Sequence, residues 1–194
     1  MLDKYGIGND PYCYPGTSIL KNRLSIHDEN LLSEAEIDLS RVAAAAIEFK
    51  EPPYDLTYLC NIHHALFSDL YEWSGKLRKV DITKGHTRFC NVSFIESEAY
   101  KLFNQLSQDN YLVGLEYSEF IAKLSEYYCD LNMIHPFREG NGRAQRVFFE
   151  HLVINAGFKI SFDAVSVDDW IEANILGVHC DFSKMKAVLN ICVS

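Results

Sequence analysis

A stretch in the second half of the chain combines residue types that bind anions and move protons. From His135 to Arg146 it reads HPFREGNGRAQR. Gly140 and Gly142 flank an asparagine, and glycines in such a run let backbone N–H groups turn inward and form a concave anion nest. The pattern predicts a phosphate-binding loop.

A helix beginning near Asn141 would strengthen this loop as an anion site. Its N-terminus brings the positive end of the helix dipole and N–H groups that have no partner inside the helix. Arg143 and Arg146 are three residues apart, so they share one face and can converge on an anion. A nest with two guanidinium groups indicates a polyphosphate ligand.

Glu139 and His135 supply the remaining chemistry. A carboxylate beside a phosphate site repels the ligand unless it holds a Mg²⁺ ion that bridges the phosphates. His135 directly precedes Pro136, and an imidazole that titrates near neutral pH can take a proton from a hydroxyl group. The loop therefore predicts nucleotidyl or phosphoryl transfer from a Mg-nucleotide to a hydroxyl.

The elements that position this loop are predicted to be mostly α-helical. A strongly periodic helix over 117–134 is stopped by Pro136, and the next helix runs from near Asn141 to Gly157. Other helices are predicted over 33–49, 55–73 and 96–108, with one or two more in the tail from 166 to 192.

Two local signals refine this reading. Ser33 and Glu36 form a capping box at the start of the first helix, which Pro52 and Pro53 end. Apolar residues on both sides of a turn at Lys84–Gly85 predict a short β-hairpin. The expected class is a helical bundle with one hairpin.

Composition restricts the class of protein further. The chain has 194 residues with 48% hydrophobic residues, which predicts a single domain with a buried core. A net charge of -9 argues against nucleic acid as the main partner.

Six cysteines without a CxxC pair are expected to be buried free thiols. With no apolar run of transmembrane length, the sequence predicts a cytoplasmic protein without a membrane partner.

Two further pairs of residues could suggest a metal site, but each is better explained by its position in a helix. The neighbours His63 and His64 point to different faces of a helix. Asp168 and Asp169 suit the start of a helix.

The stretch His135–Arg146 resembles the signature of the Fic family, H-x-F-x-[D/E]-G-N-G-R-x-x-R, at every fixed position, including Phe137. The segments DPYCYPGTSILKNRL and IHHALFSDLYEWSGKLRKVDI are also similar to Fic proteins, so the resemblance covers essentially the whole chain.

The resemblance implies a Fic-type helical bundle that transfers AMP from ATP to a Ser, Thr or Tyr hydroxyl of a target protein. It also implies a single Fic domain over 1–194 with its core at roughly 55–160. It makes His135 the general base and Phe137 an apolar anchor for the loop. Glu139 would hold Mg²⁺. The phosphates would be bound by Gly140, Asn141, Gly142, Arg143 and Arg146, with Arg143 at the β-phosphate and Arg146 at the γ-phosphate.

The hairpin would be the flap that aligns the target chain by strand addition. Its residues are Ile82, Thr83, Lys84, Gly85, His86, Thr87, Arg88 and Phe89. The related Doc kinases carry lysine at the position of Gly142 and bind ATP reversed, so glycine here favours AMP transfer. Two alternatives remain: a nucleotide-binding interaction module without transfer activity, and a Fic enzyme that transfers another phosphate-containing group.

Regulation is a separate question. Fic enzymes are commonly inhibited by a helix with the pattern [S/T]-x-x-x-E-[G/N], whose glutamate pairs with the second arginine of the signature. One match, Ser25–Asn30 with Glu29, lies inside the segment that resembles the Fic fold itself. The favoured reading is therefore a Fic toxin inhibited by a separate small antitoxin. Toxins of this group suggest a type II topoisomerase subunit as the target.

Overall fold

The computed structural model describes residues 10–85 and 87–194. Within these residues it contains seven α-helices and one two-stranded antiparallel hairpin. The helices are α1 Glu29–Ala45, α2 Leu56–Phe67, α3 Ile95–Gln108, α4 Tyr117–Ile134, α5 Asn141–Asn155, α6 Val167–Gly177 and α7 Ser183–Cys192, and the strands are β1 Thr83–Lys84 and β2 Thr87–Arg88. The predicted class is confirmed.

Helix α4 lies at the centre of the bundle and packs against α3, α5, α6 and α7. Its predicted apolar face is buried along its length: Phe120, Ile121, Leu124, Tyr128 and Leu131. Each such side chain stabilises the fold by roughly 1.5–3 kcal/mol on burial. Helix α5 packs between α4 and α2, and α1 covers α2. The helix that carries the motif is thereby fixed from two sides.

The ends of α4 and α5 agree with the sequence-based bounds. Helix α4 ends at Ile134, and its C-cap His135 adopts the left-handed conformation ahead of Pro136, which cannot continue a helix. Helix α5 begins at Asn141 and is followed by Gly157 at φ +91°. The loop of six residues between the two helices, 135–140, carries the candidate chemistry.

The predicted capping box was wrong. Helix α1 begins at Glu29, and the Asp28 side chain accepts a hydrogen bond of 2.9 Å from the N–H of Leu31. Asp28 is an equally good N-cap, and starting there lets Leu32 reach the core. Ser33 and Glu36 therefore lie inside the helix.

Helix α2 is shorter than predicted. It ends at Phe67 rather than near residue 73, and the chain continues through turns to Gly75. At Gly75 φ is +74°, and a Cβ atom would lie 2.9 Å from the carbonyl oxygen of Cys60. Only glycine fits this return towards the hairpin.

The cysteines are all free thiols. Cys13, Cys129 and Cys192 are buried as expected, whereas Cys180 is exposed. In the part of the chain that the structure describes, no helix is long and apolar enough to cross a bilayer.

Candidate active site

His135 lies where α4 ends, with its ring against the hairpin. The backbone there is left-handed, with φ 47° and ψ 61°, which turns the side chain away from the helix axis. The imidazole stacks on the Phe89 ring with centroids 3.8 Å apart. The hairpin and the end of α4 together fix the plane of this ring.

One hydrogen bond sets the tautomer of His135. Its Nδ1 lies 3.1 Å from the carbonyl oxygen of Asn132, an acceptor that requires the proton on Nδ1. Nε2 then carries the lone pair, which is the arrangement a general base needs. Burial lowers the pKa of His135 to about 4, with positive charge on Arg78 and Lys84 acting in the same direction. The ring is therefore neutral at physiological pH.

The loop after His135 is closed by the Asn141 side chain. Its Oδ1 accepts from the N–H of Phe137 at 2.8 Å, and its Nδ2 donates to the Phe137 carbonyl oxygen at 2.8 Å. Phe137 is fully buried and anchors the loop to the core, as expected. The amide of Asn141 is thus occupied by the protein, which leaves its backbone N–H for a ligand.

His63 on α2 supports the loop through hydrogen bonds and ring stacking. Sequence reasoning assigned it no part in the site. Its Nε2 donates to the Glu139 carbonyl oxygen at 2.9 Å, while its Nδ1 accepts from the N–H of Gly75 at 2.9 Å. The ring also stacks on Phe137 at 3.9 Å. Burial lowers the pKa of His63 to about 4. Both ring nitrogens are used, so His63 has a structural role.

The predicted anion nest falls at the N-terminus of α5. Gly140 is its N-cap in the left-handed conformation, and a Cβ there would lie 2.4 Å from the Phe67 ring. Arg143 and Ala144 make the first intrahelical bonds, to the Gly140 carbonyl oxygen. The N–H groups of Asn141 and Gly142 precede them and have no acceptor within the helix.

Gly142 differs from Gly140 in its surroundings. A Cβ atom at Gly142 would meet nothing within 4 Å, so the packing of the protein does not require glycine at this position. The space beside Gly142 remains open at the mouth of the nest, where a ligand phosphate would approach the backbone.

The two arginines of the motif have different partners. The Arg143 guanidinium forms an ion pair with Glu36 and donates to Ser40 Oγ at 2.9 Å on α1. It also lies over the Phe67 ring, 4.8 Å from the centroid. Arg146 is exposed, and its Nε is 3.4 Å from the Gly142 carbonyl oxygen. The structure brings Arg146 to the open side and ties Arg143 to α1.

Glu139 lies at the nest itself. Its Oε1 accepts from the N–H of Gly140 at 3.1 Å, so a carboxylate already touches the anion-binding backbone. In the described residues no group of three or more His, Cys, Asp or Glu side chains could hold a metal. A single carboxylate fits Mg²⁺, which takes one or two protein carboxylates and completes its shell with phosphates and water.

The flap is the hairpin of β1 and β2, with Thr83 opposite Arg88 and Lys84 opposite Thr87. Ile82 and Phe89 are buried at its base, where the Phe89 N–H donates to the Ile82 carbonyl oxygen at 3.2 Å. Lys84, Gly85 and Arg88 are exposed. His86 lies outside the described residues. The predicted hairpin is confirmed and lies directly beside His135.

Asp81 fixes the base of the flap. It accepts from the backbone N–H of Val92 and from Asn91 Nδ2, both at 2.8 Å, and from Arg88 at 3.4 Å. The hydrogen bond from Val92 leads the effects that lower the pKa of Asp81. The carboxylate therefore stays charged and holds both ends of the hairpin.

Comparisons with known proteins agree with this geometry. Residues 53–153 match the sequence model of the protein family described as the Fic/DOC family. The Salmonella typhimurium protein named "Probable protein adenylyltransferase Fic" is 42% identical over 194 residues, which is all of this chain and 97% of that protein. The Bartonella schoenbuchensis protein adenylyltransferase VbhT is 36% identical over 97% of this chain and 40% of its own length.

Solved structures show the same fold. The Bartonella tribocorum BepC structure with bound AMPPNP has a TM-score of 0.86 and 30% identity, covering 94% of this chain and 96% of that one. The Fic domain of a Bartonella quintana protein with bound ADP has a TM-score of 0.87 and 30% identity, covering 94% of both chains.

Proposed function

Because the chain belongs to the Fic/DOC family, we propose that it is a protein adenylyltransferase that transfers AMP from ATP to a Ser, Thr or Tyr hydroxyl of a target protein. The names of its relatives and the nucleotides bound in similar structures support this activity. The resemblance to AMP-transferring Fic proteins rather than Doc kinases supports the choice of group, since Gly142 stands where the kinases have lysine.

One observation carries the proposal: His135 Nε2 is left as the lone-pair nitrogen at the start of the loop that leads into the N-terminus of α5. The target hydroxyl oxygen would form a bond to the α-phosphorus while its proton passes to Nε2. The bond from the α-phosphorus to the bridging oxygen would break, and pyrophosphate would leave. The nest, Arg143 and Arg146 would hold the phosphates in line for this displacement.

Glu139 would hold Mg²⁺, and the ion would neutralise phosphate charge as pyrophosphate leaves. The carboxylate contacts the Gly140 N–H, so it lies where phosphate and metal would meet. Replacement by alanine is expected to raise the Mg²⁺ concentration needed for half-maximal activity.

The proposal is tested with ATP labelled at the α- or the γ-phosphate. The purified protein is incubated with each ATP and a bacterial lysate, and labelled protein bands are recorded. Label from the α-phosphate alone supports AMP transfer. Label from the γ-phosphate alone would identify a kinase, and ATP binding without any label would identify an interaction module.

The matched control is His135→Ala. Loss of a general base costs about 10² to 10⁴ in rate, but the imidazole is not needed to bind phosphate. The variant should bind a non-hydrolysable ATP analogue as the wild type does and label no band. Transfer of another group is tested by adding unlabelled UTP or a choline nucleotide as competitor.

We further propose that the protein acts in the cytoplasm as a toxin inhibited by a separate small antitoxin. Glu29 of the internal match is exposed at the first residue of α1, whereas α1 reaches the motif through Glu36 and Arg143. An ATPase subunit of a type II topoisomerase is the first target to test in the labelling assay.

A further inference from the structure

A buried arginine lies between the flap and the candidate base. Arg78 precedes β1, and its side chain has no exposed surface. Its Nε donates to the carbonyl oxygen of His135 at 2.8 Å, and its Nη2 reaches the carbonyl oxygen of Ile134 at 3.4 Å. Its backbone N–H donates to the carbonyl oxygen of Pro136 at 2.9 Å. Arg78 therefore holds three consecutive residues that include the base.

The same guanidinium also holds both sides of the hairpin. Its Nη1 donates to the Val80 carbonyl oxygen at 2.7 Å, just before β1, and its Nη2 donates to the Cys90 carbonyl oxygen, just after β2. Asp81 lies 3.9 Å away. One side chain thus connects the two flanks of the flap to the end of α4.

This arrangement needs arginine in particular. The last carbonyl groups of a helix have no intrahelical donors, and a planar guanidinium offers five N–H groups in a fixed fork. A lysine ammonium is a point charge with three donors and cannot span carbonyl groups on both sides. A charge buried this deeply is costly unless it is fully hydrogen-bonded.

We propose that Arg78 is a positioning residue that sets the distance between the target chain on the flap and His135. The inference rests on the proposed function. Phe89 provides a second link, because its ring stacks on His135 and it directly precedes Cys90, whose carbonyl oxygen Arg78 binds. A hydroxyl presented by the flap then meets Nε2 at a separation that the guanidinium sets together with the Phe89 ring and the hydrogen bond of 3.0 Å from the Cys90 N–H to the Met133 carbonyl oxygen.

The test compares Arg78→Lys and Arg78→Gln with the wild type. For each protein, thermal unfolding, affinity for a non-hydrolysable ATP analogue and the rate of α-label transfer to the same lysate band are measured. Arg41→Gln on α1 is the matched control, because Arg41 is largely exposed and its ion pair is with the exposed neighbour Asp38.

Arg78→Lys is expected to fold and to keep its ATP affinity, while the transfer rate falls at least about tenfold through loss of alignment. Arg41→Gln should match the wild type in all three measurements. If Arg78→Lys folds and transfers as fast as the wild type, the inference is overturned. If neither Arg78 variant folds, Arg78 serves the fold as a whole, and the inference is likewise overturned.

The pH dependence of transfer separates positioning from a general loss of structure. Among the residues that the structure describes, Arg78, Lys84 and Glu139 are the charged groups that act on the pKa of His135. Arg78→Gln removes a positive charge that lowers the pKa of His135. The pKa should therefore rise, and the acid limb of the plot of transfer rate against pH should move to higher pH. Arg78→Lys keeps the charge, so its limb should stay in place while its rate falls. A limb of Arg78→Lys that moves as far as that of Arg78→Gln contradicts the inference, because the loss of rate would then follow the pKa of His135 rather than alignment. A wild type that labels no band contradicts the proposed function instead.

Discussion

The carboxylate of Glu36 on α1 forms an ion pair with the Arg143 guanidinium on the first turn of α5. The Glu36 side chain also accepts from the Tyr71 hydroxyl, and Arg143 donates to the Glu36 carbonyl oxygen and to Ser40 Oγ. Side-chain exposure is 13% for Glu36 and 28% for Arg143. The ion pair connects α1 to α5, and both side chains are largely shielded from solvent.

Glu36→Gln is therefore expected to destabilise the protein more than an ordinary surface change. It removes the charge that compensates Arg143, and the partial exposure limits the cost to about 1–2 kcal/mol. The measurement is the free energy of unfolding in urea.

Asp38→Asn is the matched control for Glu36→Gln. Asp38 is on the same helix and pairs with Arg41, and both of these side chains are largely exposed. Breaking this pair should cost less than about 0.5 kcal/mol, since exposed ion pairs contribute little. Equal costs for both substitutions would mean that the Glu36 pair behaves as a surface pair.

Gly140→Ala and Gly142→Ala should separate folding from ligand binding. At Gly140 the new methyl group would collide with the Phe67 ring, and φ is +79°, so a loss of at least about 2 kcal/mol is expected. At Gly142 nothing lies within 4 Å, and alanine favours a helix, so stability should hold or rise.

The readouts for the glycine pair are thermal unfolding and calorimetric titration with an ATP analogue. Gly142→Ala should bind the analogue more weakly than the wild type, because its methyl group points into the space beside the nest. Wild-type affinity in this variant would show that the phosphates do not approach the backbone there.

The motif loop could be predicted because its chemistry is local. Gly140, Asn141 and Gly142 are adjacent, and the helix start that they imply follows from the same residues. The bounds of α4 were equally readable, since Pro136 and an uninterrupted apolar period define them. Short-range signals of this kind do not depend on which helices become neighbours.

The supports of the loop could not be predicted in the same way. Glu36 is 107 residues from Arg143, His63 is 76 from Glu139, and Arg78 is 57 from His135. The first two contacts depend on how α1, α2 and α5 come together, and the third on how the segment before β1 lies against the end of α4. No local pattern specifies either arrangement. One local signal was available. Leu32, Glu36 and Ser40 are spaced four residues apart and therefore share a face of α1, and Leu32 and Ser40 on that face are buried.

Stability should fall as the pH drops below neutrality. Burial lowers the pKa values of His63 and His135 from 6.5 to about 4. Between these values the unfolded chain binds more protons than the folded one, so the free energy of unfolding rises with pH in this window and is lost on acidification. Each imidazole contributes up to about 1.4 kcal/mol per pH unit.

His63→Gln tests this dependence, because glutamine does not titrate and can still donate to the loop carbonyl. Unfolding free energies measured between pH 4.5 and 7, set in steps of about half a unit, should change less steeply with pH than in the wild type. His179→Gln, at an exposed position, is the control. An unchanged slope for His63→Gln would show that His63 is protonated in the folded protein.

The flap should align its target through one main-chain N–H group. Ile82 and Phe89 are a hydrogen-bonded pair, so the alternation of an antiparallel ladder makes Thr83 and Arg88 a pair whose N–H groups point outward. Arg88→Pro removes an outward donor and should impair protein labelling, with little effect on ATP binding. Arg88→Ala keeps that donor and should label more strongly than the proline variant; equal labelling would place the target on another surface.

Glu29→Gly should change activity little. An inhibitory glutamate would have to pair with Arg146, the exposed arginine of the motif, yet Glu29 is the first residue of α1 and is itself exposed. Glu36 and Ser40 on α1 reach α5, and the partner of both is Arg143. Purified wild-type protein should therefore transfer AMP without activation, and Glu29→Gly should lie within about twofold of it, since exposed surface substitutions act weakly. The rate of α-label transfer and growth after expression of each protein alone measure this. Several-fold faster transfer and stronger growth arrest by Glu29→Gly would establish internal inhibition and remove the reason for a separate antitoxin.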